Sequence, residues 1–193
     1  LRPVTARVNP GATVTLVDSD KKSYTETDTD GNEEVVLPNV PVPTEGKVTV
    51  TATVDGETRK LEIPVTVDAN GDMNPKDLTL RAVTVKVVEK NASPEVPIAG
   101  ATVTVGVQKG TTNGDGVAKL YLVKGVTYEG VKAAAAGYEE AVVAELTVDT
   151  AGKAGPRVIE LERKALADVK VKVNGGATVT LVDGDGKSYT ETD

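Results

Sequence analysis

The stretch whose residue types and spacing could do chemistry is Asp68-Ala69-Asn70-Gly71-Asp72, with Asn74 and Asp77 following. Oxygens offered from alternate positions of a tight turn can converge on a hard cation, and calcium takes about six to eight such ligands. Asp68, Asn70, Asp72 and Asp77 are therefore the candidate ligands of a calcium ion. The same residue types also build metal-free turns, because Asp and Asn side chains bond their own backbone and Gly tolerates positive φ. Both readings stay open. The corresponding loop later in the chain, Thr150–Pro156, has no acid, so the architecture is not expected to require a cation there. Asp18/Asp20, Asp28/Asp30 and Asp183/Asp185 read as plain turns.

No other constellation stands out, and no enzyme is expected. The chain lacks His and Cys. That removes Ser-His and Cys-His nucleophile pairs and zinc sites of the ordinary kind. A carboxylate pair could hydrolyse a glycoside, but nothing distinguishes any acid pair from the turn acids. Trp and Phe are absent, and Tyr24, Tyr121, Tyr128, Tyr138 and Tyr189 read as core or cross-strand fillers.

The elements that would position these residues are strands. Val4, Ala6 and Val8 alternate with Thr5 and Arg7; Ala12, Val14 and Leu16 share a face; Val48, Val50, Ala52 and Val54 alternate strictly. A period of two marks half-buried strands. Asp55-Gly56 between two such runs marks a hairpin. Val35–Leu37 reads as a short strand, with Pro38, Pro41 and Pro43 making an irregular connection. No stretch carries a long helical period, so an all-β chain is expected.

The chain contains one stretch twice. Residues 11–28 read GATVTLVDSDKKSYTETD, and residues 176–193 read GATVTLVDGDGKSYTETD. Extended back to Leu1 and Leu166, 20 of 28 positions are identical at an offset of 165. A fixed period decides the architecture before any local reading. Within the period the second half echoes the first: Val4–Val8 matches Val83–Val87, Gly11–Thr15 matches Gly100–Thr104, and Thr27–Gly31 matches Thr112–Gly116. This predicts module A over 1–82, module B over 83–165, and the first strands of a second module A over 166–193. Module A is expected to close with a strand at Asp77–Arg81, and module B with one at Arg157–Arg163. The links are expected to be nearly absent, with Lys164–Asp168 hardly longer than the first, too short to act as flexible coils.

Composition narrows the partners. The net charge is −7, which disfavours nucleic acid and anionic lipid. No apolar run approaches the roughly 20 residues of a membrane helix. The absence of Cys excludes disulfides.

Module B carries the marks of a family. Val83–Glu89, Pro97-Ile98-Ala99-Gly100-Ala101-Thr102-Val103, Thr111–Val117, Tyr128 and Gly137-Tyr138 occur in an order that resembles carboxypeptidase regulatory-like and Cna protein B-type domains. The resemblance implies tandem prealbumin/Ig-like β-sandwiches, acting as stalks or spacers of extracellular, cell-surface proteins or as accessory modules beside an enzyme. Some relatives of that kind join a Lys to an Asn covalently. Lys86 stands at the lysine position, but the last strand, Val158–Glu162, offers no Asn. The Asp68 loop is also similar to a dockerin or EF-hand loop, without the closing Glu. The expected role is a structural unit of an extracellular rod or filament, partnered by itself or by more of the same array. The alternative is a module that binds calcium, a glycan or a host surface.

Overall fold

The computed structural model describes residues 1–149, 154–155, 158–164, 169–182 and 188–192. Among them there is no helix, and the chain is all-β. The first half carries β1 (Arg2–Arg7), β2 (Thr13–Asp18), β3 (Ser23–Thr27), β4 (Glu34–Val40), β5 (Thr44–Val54), β6 (Glu57–Val67) and β7 (Met73–Asn74). The second half carries β8 (Leu80–Glu89), β9 (Thr102–Val105), β10 (Gln108–Thr111), β11 (Val117–Val123), β12 (Thr127–Ala134), β13 (Ala141–Val148), β14 (Ala154–Gly155) and β15 (Val158–Leu161). A hairpin of β16 (Thr178–Val182) and β17 (Ser188–Thr192) follows.

The same strand order appears in both halves. Sheet β3-β2-β5-β6-β7 lies with the pair β1-β4, and sheet β10-β9-β12-β13-β14 lies with β11-β8-β15. Alternation places one face of each strand in a core. Val14 and Leu16 are fully buried, while Thr13 and Thr15 point outward and pair their hydroxyls with Thr27 and Thr25, both at 2.9 Å. Each buried Val or Leu contributes roughly 1.5–3 kcal/mol, and with no Phe or Trp these residues must fill the interior. Two cores result. One gathers Val4 through Leu80 together with Val123, and the other gathers Val83 through Leu161. The Asp55-Gly56 turn has φ of 53° and 79°, the positive pair that suits a two-residue hairpin.

Several expectations are corrected. Asp77–Arg81 is not a closing strand of its own. Residues 76–78 touch β1 through a parallel bridge, with Arg7 N donating to Lys76 O (3.0 Å) and Leu78 N to Arg7 O (2.8 Å). From Leu80 the chain then runs unbroken through Glu89, so one strand serves both cores. Alternation alone could not show this, because it does not say which core a residue enters. Val35–Leu37 is the middle of a longer strand, since Pro38 lies within β4. The turn match is also displaced by one. Asp28 N bonds Ala12 O as Thr112 N bonds Ala101 O, each at 2.9 Å, so Asp28 answers to Thr112 rather than Asn113.

The expected second link, Lys164–Asp168, falls mostly outside the described residues, and the second half keeps hold of the chain to Lys164, whose amide donates to Gly137 O at 3.0 Å. Parallel register sets Lys86 beside Val158 and Arg7 beside Asp77, which makes Leu161 the counterpart of Leu80. Leu80 precedes Val83 by three positions, whereas Leu161 precedes Val169 by eight. Residues 165–168, most of the Thr150–Pro156 loop, Arg157 and the Asp183/Asp185 turn lie outside the described residues. Of the repeated stretch, β16 and β17 keep the register of β2 and β3, Thr178↔Thr192 repeating Thr13↔Thr27. Residues 169–177 form no strand. The first strand, β1, is held by pairing with β4, and residues 169–177 pair with no strand among the described residues.

Candidate functional site

Three of the four predicted ligands share one turn. Asp68 Oδ1 accepts from the amides of Asn70 (2.8 Å) and Asp72 (2.9 Å), and the amide of Asp68 donates to Asp72 O (3.0 Å). The Asp72 amide, ahead of the Asn70 amide and side chain, holds the Asp68 carboxyl below its ordinary range. The fourth, Asp77, is engaged elsewhere. It accepts from Thr79 N at 3.0 Å and lies 3.4 Å from Lys124 Nζ. Burial pushes its carboxyl up, but Thr79 and Lys124 outweigh that and lower it. Among the described residues no three acids gather as a metal group.

The other turn acids also bind their own backbone. Asp28, nearly buried, accepts amides from Gly11 (3.1 Å), Gly31 (3.0 Å), Asn32 (3.2 Å) and Glu33 (3.3 Å). Burial raises its pKa, but the hydrogen bonds, led by that from Gly11, leave it lowered. Asp18 accepts from Asp20 N (3.0 Å), Lys22 N (2.9 Å) and the Tyr24 hydroxyl (3.1 Å). Lys86 pairs with Glu95.

A further set of directed contacts lies where the two cores meet, and sequence reasoning missed it. Asn9 Oδ1 accepts the Leu80 amide at 2.7 Å, and its Nδ2 donates to the Leu80 carbonyl at 3.1 Å. This occurs at the first residue of the strand the cores share. The β5–β6 hairpin then reaches the second half. Asp55 pairs with Lys119 at 2.6 Å, and Gln108 Nε2 donates to Lys60 O at 3.1 Å. The Arg59 guanidinium lies 4.1 Å from the Tyr121 ring centroid, a cation–π distance. Lys124 closes the opposite side through Asp77 and through its amide to Thr79 O (3.0 Å).

Apolar groups complete the joint. Val123 is fully buried in the first core although it ends a strand of the second half, and Val126 packs against both cores. The Tyr128 hydroxyl accepts the Val123 amide at 2.9 Å, and burial pushes that phenol up to about 12. None of these residues is marked in the sequence. Asn9 sits in an Asn-Pro-Gly turn signal, Asp55 in a hairpin signal, and the tyrosines pass as fillers.

The structure defines an all-β, sandwich-like chain with two cores sharing a strand. No family model, curated protein or solved structure matches it.

Proposed function

We propose that this chain is a structural unit of an extracellular rod or filament, such as the stalk of a surface adhesin or a pilus-like fibre, and that it carries no catalysis. The observation behind this reading is the shared strand β8, with Leu80 in one core, Val83 in the other and directed contacts on both sides. Modules meant to swivel are joined by polar linkers that few contacts cross. Here a side-chain amide, two ion pairs and a buried valine cross instead. The 165-residue recurrence supports a unit that is used more than once.

The test is to raise antibody against this chain, label intact source cells, and measure the mass of the native polypeptide. The reading expects surface-exposed fibres or stalks and a mass of several repeats. Label confined to the cell interior, on a polypeptide of about one repeat, would overturn it.

A further inference from the structure

Three turns of the chain share one set of hydrogen bonds. In each, a side-chain oxygen of the first residue accepts the amides two and four positions on. Asp18 accepts from Asp20 and Lys22, Asp68 from Asn70 and Asp72, and Asn113 from Asp115 (3.1 Å) and Val117 (2.9 Å). In each, the first residue's carbonyl also accepts the amide three on, and its amide donates to the carbonyl four on. The residue three on, Lys21, Gly71 or Gly116, has positive φ. One turn differs in its chemistry. Asp18 and Asp68 carry carboxyl groups, whereas Asn113 is an amide, and the residue after it is Gly114 rather than Ser19 or Ala69.

That difference makes a reaction available. Attack of the Gly114 nitrogen on Asn113 Cγ closes a five-membered ring, and glycine puts no side chain in the way. Asn113 and Gly114 are both exposed, so water reaches the pair. Among the described residues no backbone carbonyl takes up the Gly114 amide, while the Gly71 amide of the other Asn-Gly turn is tied to Asp68 O at 3.1 Å. As the ring closes, negative charge gathers on Asn113 Oδ1, where the Asp115 and Val117 amides already point. Donors set in advance at a developing oxyanion lower the barrier to forming it.

We propose that Asn113 is a self-modifying site, which the folded chain converts to Asp with water as the sole co-reactant. The Gly114 nitrogen gives its proton to solvent and bonds to Cγ. The Cγ–Nδ2 bond then breaks, and Nδ2 takes up a proton and leaves as ammonia. Water adds to Cγ, the Cγ–N bond of the ring breaks, and the Gly114 nitrogen regains its proton. Opening at the other ring carbonyl would instead route the main chain through Cβ and lengthen it by one atom. The turn is clamped at both ends against that. Thr112 is buried, its Oγ1 donating to Ile98 O at 2.7 Å and accepting the Ala101 amide at 2.8 Å. Gly116 O accepts the Val87 amide at 2.7 Å, and a Cβ on Gly116 would lie 2.5 Å from Val87 O. The ordinary Asp fits the clamped turn, and its carboxylate takes the same two amides. Such charge-assisted bonds are roughly twice as strong as neutral ones.

Peptide mapping by mass spectrometry tests this on the full 193-residue chain, aged in parallel folded and in guanidinium. Asn113 is expected to convert several-fold faster in the folded chain, and to Asp rather than isoaspartate. Asn70 should convert more slowly folded than unfolded. Gly114→Ala should abolish conversion at Asn113 with circular dichroism unchanged, since a Cβ on Gly114 meets nothing within 4 Å. Asn113→Asp, the product made directly, should melt above wild type. Conversion at Asn113 that is slower folded than unfolded, isoaspartate as the main product, or undiminished conversion in Gly114→Ala would each overturn the proposal.

Discussion

Asn9 satisfies both backbone groups of Leu80, accepting its amide at 2.7 Å and donating to its carbonyl at 3.1 Å across 71 positions of sequence. The Asn side chain substitutes for a strand neighbour at the point where the chain leaves one core for the next. Asn9→Ala leaves two buried groups unpaired, each costing about 1–3 kcal/mol. The variant should melt well below wild type, and the distance between labels placed in the two halves should spread. A melting point within a degree of wild type would show that Asn9 is not a tie.

Tyr128 ties the same joint from the second core by accepting the Val123 amide. Tyr128→Phe removes the acceptor but keeps the ring, and should cost about 1–3 kcal/mol in denaturant unfolding. The pH dependence follows from its phenol, raised to about 12 by burial. The neutral form is the one the fold favours. This contribution is therefore intact below the unfolded value of about 10 and is lost as pH rises through the folded value. Wild type should lose stability from about pH 10 upward, and Tyr128→Phe should lose less over that range.

Asp28 makes the opposite prediction at low pH. Its pKa is lowered by the amides of Gly11, Glu33 and Gly31 despite burial. Its contribution is present above the unfolded value of about 3.9 and fades as pH falls through the lower folded value. Asp28→Asn should be clearly less stable than wild type at neutral pH, and the gap should narrow in acid. A gap that does not change with pH would place the effect elsewhere.

The Asp68 turn separates its two readings by calorimetry. The carboxylate already accepts the Asn70 and Asp72 amides. Asp68→Ala should therefore lower stability modestly, and equally in calcium and in chelator. A rise in wild-type melting temperature with calcium that disappears in Asp68→Ala would instead make this loop a metal site.

Much of the fold was legible because it depends on local pattern. Alternation at Val48, Val50 and Ala52 gives β5, and Asp55-Gly56 gives the turn into β6. Pairing at a distance was not legible. Nothing near Asn9 announces Leu80, and nothing near Arg59 announces Tyr121. A continuous Leu80–Glu89 strand looks the same in sequence whether it serves one core or two. Pro38 read as the end of a strand because it lacks an amide, yet at the edge position of β4 no partner needs that donor. The acid loop was legible as a turn, while the withdrawal of Asp77 toward Lys124 required the second half of the chain.

The central claim is that the joint at Leu80 is rigid. The chain has no cysteine, so Ser23→Cys and Glu129→Cys place two spin labels on exposed positions of the two halves. The account predicts a single narrow distance distribution by pulsed dipolar spectroscopy, broadened when Asn9→Ala is added. A distribution already broad in the parent protein would contradict it.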